Sequence, residues 1–176
     1  MMKRVLSVGL LAVVVGLVPS TGQAPVQTIN ALAPIELLLD GSQELVGVAV
    51  TFDATAYVSD AGAGVVYKIS PTGVVTIAVS GLQRPAGLAL DLTGRLLITE
   101  EGGGRILRLE ATGALTVLAT GLRSPRWLAV NLDGSLYISH HGPPPDGLDP
   151  TEGREILRLV PGKSPTVVAT GLSRLE

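Results

Sequence analysis

Three residues with side chains suited to chemistry recur at a fixed spacing in this sequence. Asp60, Glu100 and His140 are each 40 residues apart, and each follows a short apolar run. Two carboxylates and an imidazole can hold a divalent cation, or can share the roles of acid and base. A polar residue also ends an apolar run simply because the chain is entering water. The spacing therefore predicts a shared ligand-binding or metal site, provided that the fold brings the three positions to the same edge of the molecule, which we call the rim.

A second group of carboxylates follows both of the histidines of the chain, in the segment "HHGPPPDGLDPTEG". Asp146, Asp149 and Glu152 recur at every third position, a pattern that can wrap Ca²⁺ or a similar cation although the spacing is not that of an EF-hand. The segment is an insertion, because Glu100 lies close to Arg108 along the chain whereas the equivalent His140 and Arg158 are further apart. We expect this insertion to overhang the same rim.

Two arginines and a tryptophan are further candidates for ligand binding. Arg84, Arg126 and Trp127 lie at or just before apolar runs that are predicted to be strands. Arginine pairs with carboxylates and tryptophan stacks on flat rings, so these residues indicate an anionic or sugar-like ligand. The alternative for Trp127, which replaces Gly47 and Gly87 of the preceding units, is that it packs or lines a pore.

The composition excludes several classes of function. The chain of 176 residues has 13 basic and 15 acidic side chains and no cysteine. Disulfides, thiolate metal sites and cysteine nucleophiles are therefore excluded, and the basic excess typical of nucleic-acid binding is missing. The sequence also has no G-x-S-x-G elbow and no phosphate-binding loop of the Walker type, so it does not support serine catalysis or nucleotide binding.

The first residues are typical of a secretory signal. The basic start "MMKR" precedes an apolar run from Val5 to Val18, and small residues follow it. This run is shorter than a membrane-spanning helix requires, which favours a cleaved signal peptide over an uncleaved anchor. We therefore predict a signal peptide at 1–24, a linker at 25–34, and a secreted or periplasmic protein with no stable membrane span after cleavage.

An internal repeat governs the rest of the chain. When the segment 81–100 is aligned with the segment 121–140, the residues at positions 81, 82, 85, 88, 89, 92, 94, 96 and 98 are identical to those 40 residues later. The segment "GVAVTFDATAYVSD", 40 residues earlier, follows the same pattern. Each unit contains four short runs rich in Val, Ile and Leu, separated by turn residues, which indicates four strands per unit. Four strands in about 40 residues are typical of a β-propeller blade.

We therefore predict an all-β fold, a partial β-propeller of four-stranded antiparallel blades over residues 35–176. It consists of an orphan outer strand at 35–40 and blades at about 45–80, 85–120 and 125–170. Propellers close with four or more blades, so three blades do not form a ring. The chain is then either a piece of a longer product with a six-bladed ring or a half-ring that self-associates through its open blade faces.

The units "GLQRPAGLALDLTGRLLITEEGGGRILRLEATG" and "GLRSPRWLAVNLDGSLYIS" resemble blades of the NHL-repeat, virginiamycin B lyase-like and gluconolactonase-like six-bladed propellers. A weaker likeness is to soluble quinoprotein sugar dehydrogenases. The gluconolactonase resemblance implies a metal held partly by Asn or Asp just before the "G-L-A" strand. The equivalent residues here are Val46, Ala86 and Arg126, none of which binds a metal ion in that way.

The sequence thus favours an exported binding or scaffold module, which uses its rim loops on an extracellular or periplasmic protein or small molecule. The alternative is a metal-assisted lyase or lactonase with its pocket on the propeller axis and a divalent cation such as Ca²⁺. A quinoprotein sugar dehydrogenase is a weaker alternative, because no set of cofactor-binding residues can be placed.

Overall fold

The computed structural model describes residues 44–141, 154–170 and 172. Several predictions fall outside these residues: the signal peptide at 1–24, the linker at 25–34, the orphan strand at 35–40, and the possible metal ligands Asp146, Asp149 and Glu152.

The described residues form three antiparallel sheets of four strands each, paired in chain order. Sheet 1 contains β1 (Leu45–Val50), β2 (Ala56–Asp60), β3 (Val65–Ile69) and β4 (Val75–Val79). Sheet 2 contains β5 (Pro85–Leu90), β6 (Leu96–Glu100), β7 (Arg105–Leu109) and β8 (Leu115–Ala119). Sheet 3 contains β9 (Leu128–Val130), β10 (Leu136–His141), β11 (Arg154–Leu159) and β12 (Thr166–Ala169). The predicted all-β class with four strands per unit is confirmed.

The described ranges contain no helix, and hence no helix long and apolar enough to cross a membrane. The turns joining the first two strands of sheets 2 and 3 are tight. Gly94 and Gly134 lie in them with φ angles of 80° and 78°, a region that glycine enters without the steric cost that a Cβ brings. The "LTG" and "LDG" sequences therefore indicate turns because their glycines can adopt the positive φ angle that the turn requires.

Each pair of neighbouring sheets encloses its own apolar core, which we call a seam. In the first seam, between sheets 1 and 2, the buried residues are Val66, Val79, Leu82, Leu88, Leu96, Ile98 and Leu107. In the second seam, between sheets 2 and 3, they are Leu97, Ile106, Leu122, Leu136, Ile138, Leu157 and Leu159. Strand β6 supplies Leu96 and Ile98 to one seam and Leu97 to the other. Burial on both faces explains why its sequence is a continuous apolar run.

The first strands of the sheets approach one another closely at one end. Gly87 donates its backbone N–H to the carbonyl oxygen of Arg126 in the next segment at 2.7 Å. A Cβ at Gly87 would overlap that same carbonyl, and a Cβ at Gly47 would overlap the carbonyl of Ala86. Glycine at these two positions therefore lets the backbones of adjacent sheets touch.

Candidate functional site

The predicted site residues lie at the rim, which is one end of the sheets. Asp60 and Glu100 are the last residues of β2 and β6, and His140 is the penultimate residue of β10. Arg84 directly precedes β5, whereas Arg126 and Trp127 directly precede β9. Because first and second strands run antiparallel, the end of one and the start of the other lie at the same edge.

Glu100 has no exposed surface and is hydrogen-bonded on both carboxylate oxygens. Its Oε1 accepts a hydrogen bond from the backbone N–H of Gln83 at 2.7 Å, and its Oε2 is paired with Nε of Arg105 on the neighbouring strand. A Cβ at Gly103 would overlap this carboxylate. The glycine in the "GGG" turn after β6 therefore leaves the space that the Glu100 carboxylate occupies. The carboxylate thus ties the segment before β5 to the turn after β6.

The ionised form of Glu100 is favoured despite its burial. Burial by itself raises the pKa of this carboxyl group. The hydrogen bonds from Arg105 and from Gln83, together with the positive charge of Arg105, outweigh that effect and hold the pKa below its usual value. At neutral pH Glu100 is therefore a charged group that is already neutralised by its own sheet.

Asp60 occupies the equivalent place in sheet 1 and is also fully buried. Its Oδ1 accepts hydrogen bonds from the backbone N–H groups of Glu44 and Ala63, both at 3.0 Å. It therefore joins the chain before β1 to the turn after β2, as Glu100 does in sheet 2. Its cross-strand neighbour is Val65, whereas the cross-strand neighbour of Glu100 is Arg105.

His140 makes the same kind of connection with an imidazole ring. Its Nδ1 accepts from the backbone N–H of Arg123 at 3.4 Å, and its Nε2 lies 3.1 Å from Oε2 of Glu155. Because Nδ1 accepts a hydrogen bond, Nε2 is the nitrogen that donates to the carboxylate. Glu155 is the cross-strand partner of His140, as Arg105 is of Glu100. Sheets 2 and 3 therefore each pair an acidic with a basic side chain at these positions. The acidic residue is on the second strand in sheet 2 and on the third strand in sheet 3.

The three equivalent residues do not assemble into a metal centre in the part of the chain that the structure describes. Among those residues, no three His, Asp or Glu side chains are grouped so that they could share a metal ion. The positions implied by the gluconolactonase resemblance do not fit a metal either: Val46 and Ala86 have hydrocarbon side chains, and Arg126 is a cation. The use of Asp60, Glu100 and His140 as metal ligands stays a prediction.

Arg84 is engaged at the rim by its neighbours. Its two terminal amino groups donate to the two carboxylate oxygens of Glu44 at 3.0 and 3.2 Å, in a bidentate pair. Its Nε lies 3.9 Å from Glu101. Glu44 lies one repeat earlier than Arg84, so this pair links equivalent positions of sheets 1 and 2. A ligand would have to compete with two carboxylates for this guanidinium.

Arg126 and Trp127 are the most accessible of the predicted candidates. Trp127 is 51% exposed, and Arg126 is exposed beside it. The guanidinium carbon of Arg126 lies 5.9 Å from the centre of the indole ring, within the range of a cation–π contact. The pair therefore presents a flat aromatic surface and a positive charge to solvent at the same point.

Solved structures are similar to this chain, whereas no protein-family model and no curated protein matches it. A gluconolactonase from Xanthomonas campestris matches with a TM-score of 0.65 and 27% sequence identity, over 76% of this chain and 50% of that one. Virginiamycin B lyase from Staphylococcus aureus matches with a TM-score of 0.56 and 16% identity, over 75% and 43%. A chain of a nidogen/laminin complex matches with a TM-score of 0.60 and 24% identity, over 72% and 48%.

The three sheets are β-propeller blades. The predicted resemblance to the gluconolactonase-like and virginiamycin B lyase propellers is confirmed at the level of structure. This chain spans about half the length of the gluconolactonases that it matches. We therefore call sheets 1, 2 and 3 blades 1, 2 and 3.

Sequence reasoning missed a row of hydroxyl groups that joins the blades. Ser59 donates from Oγ to the carbonyl of Ala86 in blade 2 at 2.6 Å, and Thr99 donates from Oγ1 to the carbonyl of Arg126 at 2.8 Å. The equivalent Ser139 accepts instead from the N–H of Trp127 at 3.0 Å. The sequence signal for this row is that a hydroxyl side chain recurs directly before Asp60, Glu100 and His140.

Proposed function

We propose that this chain is an exported propeller module that binds a small hydroxylated carboxylate, such as a sugar acid, at Arg126 and Trp127. The observation that carries the proposal is the exposed indole of Trp127 beside the exposed Arg126 guanidinium. The equivalent positions Gly47 and Gly87 are buried where blades touch. Among these three equivalent positions, Trp127 is the one whose side chain is suited to stacking on a ligand.

The chemistry of the pair indicates the class of ligand. An indole face stacks against the apolar face of a sugar ring or sugar-derived chain, and a guanidinium pairs with a carboxylate through two parallel hydrogen bonds. The 27% identity with a protein described as a gluconolactonase supports a sugar-derived ligand. Binding by this pair requires no metal ion and no reaction.

The proposal is tested by titrating the full chain with sodium D-gluconate. Trp127 is the single tryptophan of the sequence, so fluorescence excited selectively at tryptophan, and not at the three tyrosines, reports on this surface. We expect a saturable change in emission, at least tenfold weaker apparent affinity in Arg126→Gln, and an unchanged affinity in Arg158→Gln, which alters an arginine at the other end of blade 3. An emission spectrum that gluconate leaves unchanged would overturn the proposal.

A metal-assisted lactonase or lyase is the second candidate, since the same 27% identity favours a lactonase. A divalent cation bound on the propeller axis would supply the Lewis acid for such a reaction. The positions of blades 1, 2 and 3 at which the gluconolactonase resemblance implies ligands do not fit, because Val46, Ala86 and Arg126 offer no ligand. The purified full chain distinguishes the two functions: stoichiometric metal together with hydrolysis of D-glucono-1,5-lactone favours the enzyme, and the absence of both favours the binding module.

Export is part of the proposal and rests on the sequence of residues 1–24. A basic start followed by an apolar run of less than membrane-spanning length is read by the secretion machinery and removed. Mass spectrometry of protein recovered from the medium or periplasm of an expressing bacterium is expected to show a chain shortened by about two dozen residues. Recovery of the chain only in the cytoplasm, with its first residues intact, would contradict export.

A further inference from the structure

A cleft of about 350 Å³ opens in the second seam, at the end of the blades opposite the rim. It lies beside the turn Asp91–Arg95, which joins β5 to β6, and beside the turn that follows β11. Its walls are aliphatic and come from both blades: Leu97, Leu118, Val130, Leu136 and Leu159. Clefts of this size with mostly apolar walls are typical of small-molecule sites. We call it the seam cleft.

Two residues of the repeat contribute to the room in the second seam. Leu97 of blade 2 is equivalent to Tyr57 of blade 1, and Tyr57 packs against the apolar core of the first seam. A leucine in place of a tyrosine removes an aromatic ring from between the blades. Val130 is likewise one methylene shorter than its equivalent, Leu90. Leu118 replaces the smaller Ala78 and takes back part of this space, so the seam cleft is the net result of these three substitutions.

Arginine side chains line the same cleft and are held in place by carboxylates. Arg95 donates from Nε to Asp91 at 3.0 Å and from Nη1 to Glu110 at 3.2 Å. Arg108 donates from Nε to the other oxygen of Glu110 at 2.7 Å. Among the described residues, neither terminal amino group of Arg108 has a hydrogen-bond partner. The equivalent positions of the first seam carry Thr55 and Lys68 instead.

We propose that the seam cleft is a binding site for a small amphipathic carboxylate. The apolar body of the ligand packs against the leucine and valine walls, and its carboxylate accepts hydrogen bonds from the terminal amino groups of Arg108 and from the remaining amino group of Arg95. A guanidinium whose Nε is fixed by a carboxylate is pre-organised, so little side-chain entropy is lost when it pairs with a second one. This site is separate from the rim and does not depend on the function proposed for Arg126 and Trp127.

The probe for this site is sodium octanoate, titrated into the full chain by isothermal titration calorimetry. Octan-1-ol has the same apolar body without the charge, and we expect it to bind at least tenfold more weakly. Octanoate that does not bind, or that binds no better than octanol, would overturn the proposal.

Two variants place the binding in the cleft. Leu97→Tyr installs the aromatic ring that blade 1 carries at the equivalent position, and we expect it to fill the cleft and to lose octanoate binding. Arg108→Gln is expected to weaken octanoate at least tenfold and to leave octanol unchanged, whereas Arg158→Gln, at the equivalent position of blade 3, should change neither. If Leu97→Tyr does not fold, Val130→Leu fills the cleft with the residue of the first seam and is expected to weaken octanoate. Octanoate bound with wild-type affinity by a folded cleft-filling variant would contradict the assignment.

Discussion

Glu100 combines complete burial with a carboxylate that stays ionised. Its partners Arg105 and Gln83 lower its pKa in the folded protein, whereas in the unfolded chain the pKa returns to its usual value. The stabilisation is therefore fully present above that usual value, near pH 4, and is lost as the pH falls through the lower folded pKa. Breaking this charged pair by Glu100→Gln should cost about 2 kcal/mol at neutral pH.

The measurement is the free energy of unfolding in urea at several pH values. We expect Glu100→Gln to unfold more easily than wild type at pH 7 and the difference to shrink as the pH falls below about 4, because the unfolded chain takes up a proton there and the folded carboxylate does so only at its lower pKa. Glu101→Gln is the matched control, since it removes the adjacent carboxylate, whose ion pair with Arg84 is long, at 3.9 Å. A difference between Glu100→Gln and wild type that is independent of pH would contradict this account of Glu100.

The spacing of Asp60, Glu100 and His140 predicted where these residues lie in the fold, but it did not predict which groups they contact. The 40-residue period placed Asp60, Glu100 and His140 at equivalent strand ends, where the structure has them. It did not indicate that two of them are buried, because their partners are backbone N–H groups, which every residue carries. Arg105 faces the acidic Glu100, and the equivalent Glu155 faces the basic His140. This matched change of charge at two equivalent pairs of positions was a signal of cross-strand pairing in the sequence.

At the scale of the element, the first strand of each blade depends on glycine. Gly87 lies in β5 where its N–H meets the carbonyl of Arg126, and a Cβ there overlaps that oxygen. Gly87→Ala is expected to destabilise the protein by about 3 kcal/mol, because backbone rather than a flexible side chain stands in the way. Gly94→Ala meets no atom and should cost only about 1 kcal/mol, from its φ angle.

Denaturant unfolding of the two alanine variants compares these costs directly. Equal destabilisation by Gly87→Ala and Gly94→Ala would show that the backbones of blades 2 and 3 are not in close contact at Gly87. The sequence predicted the strands themselves because apolar runs and turn residues are local features. It did not predict the close approach, because that contact joins residues of different repeats.

At the scale of the whole molecule, Trp127 decides how a further blade can pack on blade 3. A second copy that placed its own blade 1 there in the geometry of the two described seams would bring the carbonyl of Val46 against residue 127. Glycine accommodates the equivalent carbonyl at positions 47 and 87, whereas an indole does not. The apolar side chains of Val48 and Val50 are exposed on blade 1, so surface suitable for such an association is present.

We therefore expect Trp127→Gly to self-associate more strongly than wild type. Multi-angle light scattering at several protein concentrations should show a larger share of dimer in the variant, and Trp127→Phe, which keeps an aromatic ring, should behave as wild type does. A wild-type chain that is already a stable dimer, unchanged in mass by Trp127→Gly, would contradict this role of Trp127.

We expect the rim of these blades to bind an anionic sugar-derived ligand without help from a metal ion. The most direct measurement is the fluorescence titration of the wild-type chain with gluconate, carried out before and after exhaustive treatment with EDTA. Binding at the rim without a metal ion predicts a saturable change in Trp127 emission with the same apparent affinity in both samples. An affinity that disappears with EDTA and returns with Ca²⁺ would contradict it and would favour the metal-assisted enzyme.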